Sequence, residues 1–385
     1  MVMTIKDIET YFKKFDLNFS QEDMQNYLNS IYLNPDNLNS DTNLDLNPVI
    51  EKLSQWEYGV GYLTERKLKD NLRFNYLDPE TKITFRTQIN IARSNYSPKP
   101  IPADLSKNIP KLHCPICIEN IGIPGKEDLR AFSFELSPNR LFFLQFTPFP
   151  LFPYHCVLID QKPRPMIMSE QSVKDLTDFI QKAPGYVACS NSDVEWAGAS
   201  ILSHHHYQVF KNLDLPIMEA EWDLTSYKKT NIQGYTVDFG FLNYPIASIK
   251  IICRDLKIFI KTAGQIIRTW KAQEPGKNTL NLVIQYDQVK NNWVGYLILR
   301  NPDHRTVQNL THIKSEGVGI IEVAGEGIYP VPKGEHAESI MQEIKSNGLE
   351  IIKGIIQSNN PLDKKDWPGQ FQIFSKALAG LSDLE

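Results

Sequence analysis

The chain has 385 residues, of which 42% are hydrophobic and 22% charged, and its formal net charge is −4. That length supports two packed cores, and the balance of apolar and charged residues excludes a disordered chain. The slight acidity, without clustered Lys and Arg, argues against a nucleic-acid partner or an anionic membrane surface.

No apolar run reaches the roughly 18 residues of a membrane span. The opening MVMTIKDIETYFKKF lacks the apolar core of a secretory signal, so the expected compartment is the cytoplasm. Five cysteines in so long a chain make no disulfide framework and read as thiols, ligands or core residues.

Residues 1–75 read as a helical cap. DIETYFKKF and QEDMQNYLNSIYL carry apolar residues at helical spacing, and DLNPVIEKLSQWEYGVGYL follows an Asn-Pro start. A mixed pattern follows, with strand-like KITFRTQINIA, LRAFSFELS, RLFFLQFTPF and HCVLID, then a helix at SEQSVKDLTDFIQKA. Pro-rich residues 94–111 read as a loop leading into the C-x-x-C segment that follows. The mixture then repeats: ASIKIICRD, a helix at LKIFIKTAGQIIRTWKAQ, strands NTLNLVIQYD and NWVGYLILR, and a helix at AESIMQEIKSNGLEIIKGIIQ. Two mixed halves with antiparallel-looking strands predict an α+β fold with a repeated unit, divided at 76–235 and 236–385.

GASILSHHHYQVF holds three of the eight histidines. In an extended segment His204, His206 and Gln208 share one face, about 7 Å per two residues, while Ser203, His205 and Tyr207 share the other. The first face can place a ligand, a nucleophile and a neutral donor in line; an exposed polar strand end fits the pattern equally well. Upstream, the C-x-x-C pair Cys114 and Cys117 can converge two thiolates on one soft cation, and His155 and His204 are candidates to complete a tetrahedral zinc set. A redox pair is the competing reading, although no thioredoxin-like βαβ pattern surrounds it. Cys156, Cys189 and Cys253 sit in apolar strings and read as core.

CPICIENIG, FFLQFTPFPLFPYHCVLI, CSNSD, GASILSHHHYQ, LILRNPDHRT and HIKSEGVGIIEVAG resemble, in that order, segments of the class II galactose-1-phosphate uridylyltransferases, within the histidine-triad-like superfamily. The resemblance runs from roughly residue 60 to 340. It implies two histidine-triad-like α+β halves with mainly antiparallel sheets and flanking helices, and a possible homodimer. It also implies exchange of a uridylyl group between a nucleotide sugar, UDP-glucose, and a sugar phosphate, galactose 1-phosphate, through a covalent uridylyl-histidine.

By this resemblance His206 is the nucleophile, and Gln208 donates to an oxygen of the transferred phosphate. A neutral imidazole attacks phosphorus well near pH 7, provided an acceptor on its other nitrogen aims it. Gly198 and Ser200 are further candidate phosphate contacts, because glycine permits close approach and serine supplies a short donor. Asn191 and Asp193 match a nucleotide-contacting Asn-x-Asp segment, with surface turn residues as the alternative. Arg300, Asn301 and Arg305 match an Arg-Asn segment suited to diphosphate charge, with a solvated strand end as the alternative. Cys114, Cys117, His155 and His204 fall where related transferases hold metal, which implies a structural zinc.

Three features depart from the resemblance: His205 replaces an acidic residue, Val209 and Phe210 replace two glycines, and the segment before HIKSEG is short. His312 remains there as a candidate for binding the sugar phosphate, or as a structural residue. Two other functions stay open. One is a nucleotide-sugar phosphorylase or hydrolase using the same histidine; the other is a zinc-stabilised nucleotide-binding relative without turnover.

Overall fold

The computed structural model describes residues 44–59, 61–91, 114–121, 129–198 and 201–381. The first two expected helices and the Pro-rich loop lie outside those residues. The expected helix after Asn-Pro is α1, Leu46–Gly59, followed by a short α2, Glu65–Lys69. A strand, β1 (Leu72–Leu77), already begins inside the expected cap because it pairs antiparallel with β2 (Thr84–Ile89).

A ten-stranded sheet dominates the molecule. Its first part consists of β3 (Phe132–Ser137), β4 (Arg140–Phe146), β5 (Cys156–Asp160), helix α3 (Glu170–Lys182), β6 (Tyr186–Ser190) and β7 (His206–Lys211). The second part consists of β8 (Trp222–Ile232), β9 (Tyr235–Leu242), β10 (Ser248–Cys253), helix α4 (Leu256–Gln273), β11 (Thr279–Asp287) and β12 (Asn292–Arg300). Strand order is β3-β4-β5-β7-β6-β11-β12-β10-β9-β8. Each part therefore runs through three consecutive antiparallel strands, a helix, and two strands of which the last inserts beside the third. The fold is α+β with the histidine-triad-like unit repeated. By strand order the second unit begins at β8, whereas the boundary expected at 235/236 falls beside the β8–β9 turn.

Local chemistry sets these elements. Ser172 Oγ accepts the Ser169 N–H at 3.1 Å at the start of α3, and Asp255 Oδ1 accepts the Ile258 N–H at 2.8 Å at the start of α4. Both helices bury apolar stripes on one face of the sheet, together with α1 and α7 (Trp367–Ala379). Gly264 of α4 lets the helices close up, since a Cβ there would lie 2.5 Å from Glu170 of α3. The other face packs on a small sheet of β1, β2 and β13 (Glu326–Tyr329) and on α6 (Ala337–Ser358). Covered on both faces, β12 is almost wholly buried and reads as one apolar run. No helix among the described residues is long and apolar enough to cross a membrane.

Candidate functional site

The three histidines enter β7 from the connection after β6, and each points somewhere different. The strand itself begins at His206, so the extended stretch is shorter than the sequence suggested. β5 pairs antiparallel with β7, setting Ile159 opposite His206 and Val157 opposite Gln208 on one face. His206 is 8% exposed and Gln208 half-buried. The Nδ1 of His206 lies 2.7 Å from the carbonyl oxygen of His204. A carbonyl only accepts, so Nδ1 carries a proton and the neutral ring keeps its lone pair on Nε2. Burial lowers the pKa of His206 and favours that neutral ring, while the hydrogen bond to the His204 carbonyl pulls the other way.

His204 is fully buried, with Nε2 2.7 Å from the carbonyl oxygen of Asp160, so its proton sits there and Nδ1 is free to act as a ligand. Nδ1 lies 3.1 Å from Cys114 Sγ and 3.5 Å from Cys117 Sγ, and the two sulfurs are 3.0 Å apart. These three donor atoms lie within 4.8 Å of one another. The Cys117 thiol is pushed up to about 12, by burial first and then by Cys114. A bound cation would reverse that by stabilising thiolate. Two sulfurs and a carbonyl-oriented imidazole fit zinc in chemistry and tautomer.

His155, the expected fourth ligand, stands apart from this cluster. It precedes β5 and stacks on Phe210 at 4.3 Å, while Asp160, at the other end of β5, meets His204 and His205. Five residues of extended strand separate those ends by about 16 Å. His155 therefore cannot share the ion; its ring is buried, its pKa is pushed down to about 3 by desolvation, and the Gln208 side chain opposes that shift.

The other expected contacts divide sharply. Asn191 Oδ1 accepts the Ile320 N–H at 2.9 Å, at the start of α5 (Ile320–Val323). Gly198 has φ +110, and a Cβ there would lie 2.8 Å from the Val318 carbonyl oxygen, so the glycine serves close backbone approach. Both tie the connection before the histidines to the second unit. Asp193 is occupied by the protein: Oδ1 accepts from Thr279 Oγ1 at 2.6 Å, and Oδ2 from the Met168 N–H at 2.8 Å and from Lys271. Ser200 lies outside the described residues.

Arg300 is fully buried and spans Asn281 Oδ1 at 2.6 Å, the Val318 carbonyl at 2.9 Å and Asn359 Oδ1 at 3.1 Å. Burial draws its pKa down to about 10. Asn301 donates to Glu274 and Asn278 and accepts from the Asp303 N–H. Neither side chain faces solvent, because each stitches loops of the second unit together. Arg305 is exposed and lies over the Trp196 ring at 4.6 Å, and exposed His312 pairs with Glu343 at 3.0 Å.

Sequence reasoning missed Asp160 and Arg164, which act through backbone carbonyls and so leave no side-chain signal. It also missed Met166, whose sulfur accepts the His206 N–H at 3.3 Å.

No family model matches the chain. Among curated proteins, it is 27% identical over 359 residues to the galactose-1-phosphate uridylyltransferase of Caldanaerobacter subterraneus subsp. tengcongensis, a match covering 82% of this chain and 66% of that protein. It is 26% identical to that of Clostridium acetobutylicum, covering 88% and 72%, and 29% identical to that of Lactiplantibacillus plantarum, covering 70% and 59%. The chain thus spans about two thirds of the length of the curated relatives it matches. In fold it is similar to yeast Ap4A phosphorylase Apa2, with TM-score 0.52 and 12% identity over 83% of this chain and 95% of that one. The complex of that protein with Ap4A gives TM-score 0.50 at 11% identity, covering 82% and 97%. The chain therefore resembles the galactose-1-phosphate uridylyltransferases along most of its length and carries the histidine-triad-like α+β fold.

Proposed function

We propose that this protein is a nucleotidyltransferase exchanging a uridylyl group between UDP-glucose and galactose 1-phosphate, with His206 as nucleophile. The observation that carries the reading is the His206 Nδ1 to His204 carbonyl hydrogen bond, which leaves a lone pair on Nε2. Nε2 attacks the α-phosphorus; the N–P bond forms as the P–O bond to glucose 1-phosphate breaks, and the leaving group departs with the electron pair. The ring, still protonated at Nδ1, becomes cationic, and the His204 carbonyl stabilises it. An oxygen of galactose 1-phosphate then attacks the same phosphorus, and the N–P electrons return to Nε2. Gln208, on the face of β7 shared with His206, donates to a non-bridging oxygen without supplying a competing proton.

Cys114, Cys117 and His204 would hold zinc, whose contribution is to fasten the histidine connection to the C-x-x-C segment. The five free cysteines, all buried, suit a reducing cytoplasmic setting.

A second reading keeps His206 and changes the acceptor to phosphate or water. Two features favour it: Arg300 and Asn301 are engaged internally, and Phe210 stands where the resemblance implies a glycine. The deciding experiment supplies UDP-glucose with galactose 1-phosphate, inorganic phosphate or buffer alone and resolves the products. UDP-galactose supports the first reading. UDP formed only with phosphate, or UMP with buffer alone, replaces it by the second.

A further inference from the structure

His205 lies on the face of the strand opposite His206 and Gln208, yet it is held at four points. Its N–H donates to the Arg164 carbonyl at 2.6 Å, and its carbonyl accepts the Asp160 N–H at 3.0 Å. Its Nδ1 accepts the Ile167 N–H at 3.4 Å, which leaves the ring proton on Nε2, 2.6 Å from the Tyr207 hydroxyl. Tyr207 in turn donates to Asp175 Oδ2 at 3.0 Å. Asp175 is fully buried and also accepts from Arg140 and, at 2.8 Å, from Gln171 Nε2. Donors and acceptors alternate from Ile167 to Asp175, so the His205 ring has one orientation and one tautomer.

The consequence runs through the backbone. The peptide joining His204 to His205 is planar and trans, so its N–H and C=O point in opposite directions. With the N–H fixed on Arg164, the carbonyl must face the other way, and there it meets His206 Nδ1 at 2.7 Å. We propose that His205 is a positioning residue for the nucleophile: its ring, locked into the Tyr207–Asp175–Arg140 network, sets the 204–205 peptide plane, and that plane sets the tautomer and aim of His206. This rests on the uridylyl-transfer reading for its kinetic consequence. The network lies on the face of the strand opposite His206 and Gln208 and acts from there.

The test compares His205→Leu, which loses both ring hydrogen bonds, with His205→Gln, whose amide can accept from Ile167 and donate to Tyr207. Tyr207→Phe breaks the network one step further out and carries the test if the Leu variant does not fold. Three quantities are read: the 15N imidazole signals of His206, the single-turnover rate of uridylyl adduct formation, and the affinity for UDP-glucose.

The expected result is a single Nδ1–H tautomer in the wild type and a tautomer mixture in the Leu variant. The adduct rate should fall on the order of 10- to 100-fold in that variant with nucleotide affinity unchanged, and should recover substantially with Gln. Unchanged His206 signals in the Leu and Phe variants would overturn the proposal. So would equal losses with Leu and Gln, or a loss confined to nucleotide affinity. A wild type that forms no adduct would remove the transfer reading alone, because the tautomer signals still decide the positioning role.

Discussion

The two units of the large sheet share a strand order and a helix position, yet only one carries the histidine constellation. In the first unit the last two strands, β6 and β7, are joined by residues 191–205, and β7 presents His206, Gln208 and Phe210 on one face. In the second, β11 and β12 are joined by a tight turn at 288–291, capped by Asp287 Oδ1, which accepts the N–H groups of Val289 and Lys290 at 3.0 Å. The corresponding face of β12 presents Val294, Tyr296 and Ile298, all buried. The repeat supplies a frame; the long connection places the residues of the proposed chemistry. It delivers His204 to the cysteines and its carbonyl to His206, and it is braced by the second unit through Asn191 and Gly198. A short turn has no residues to spare for any of this.

The contrast is broken most severely at the proposed nucleophile, His206. His206→Gly is expected to lower transferase activity on the order of 10^4-fold or more, whereas Val294→Ala in the other unit should cost about 1–2 kcal/mol of stability and leave activity per folded molecule unchanged. Denaturant melts and initial rates on both variants separate the two outcomes. Comparable activity losses would mean that both units take part in the chemistry.

Next in size is the brace. Arg300→Lys removes a buried fork holding Asn281, Val318 and Asn359, and is expected to cost about 2–4 kcal/mol, measured by urea melts, with KM for the acceptor unaltered. A KM change without a stability change would return Arg300 to the substrate and weaken the view of the second unit as scaffold. Smallest in effect on the chemistry is the metal cluster. Elemental analysis is expected to find about one zinc per chain, lost in Cys117→Ser, while His155→Phe keeps it. Retention of zinc in the cysteine variant would break the assignment.

Much of the frame was legible in the sequence, and the reason is local. Helix α4 coincides with LKIFIKTAGQIIRTWKAQ because an Asp255 cap precedes a regular apolar stripe. Strands β3, β4, β5, β10, β11 and β12 announce themselves by apolar runs between turn residues. β8 was not legible: as an edge strand it is largely exposed and carries Lys228 and Lys229, which discourage pairing with other chains and erase the apolar signal. The separation of His205, which sits with Tyr207, from His206 followed from strand alternation. The misassignment of His155 arose because sequence spacing does not reveal which end of β5 faces the cysteines. The internal engagement of Arg300 and Asp193 was not legible for a related reason: their partners, Asn281, Val318 and Asn359 for one and Thr279 and Lys271 for the other, are brought to them by the tertiary fold. A charge beside a familiar motif suggests substrate until those partners are known.

The most direct measurement is tandem mass spectrometry of the protein after brief exposure to UDP-glucose alone, with the labile adduct located by residue. A uridylyl group on His206, absent from His204 and His205, is the predicted result. A group on any other residue, or no adduct with UDP-glucose while the protein still turns over UDP-glucose, would contradict the account.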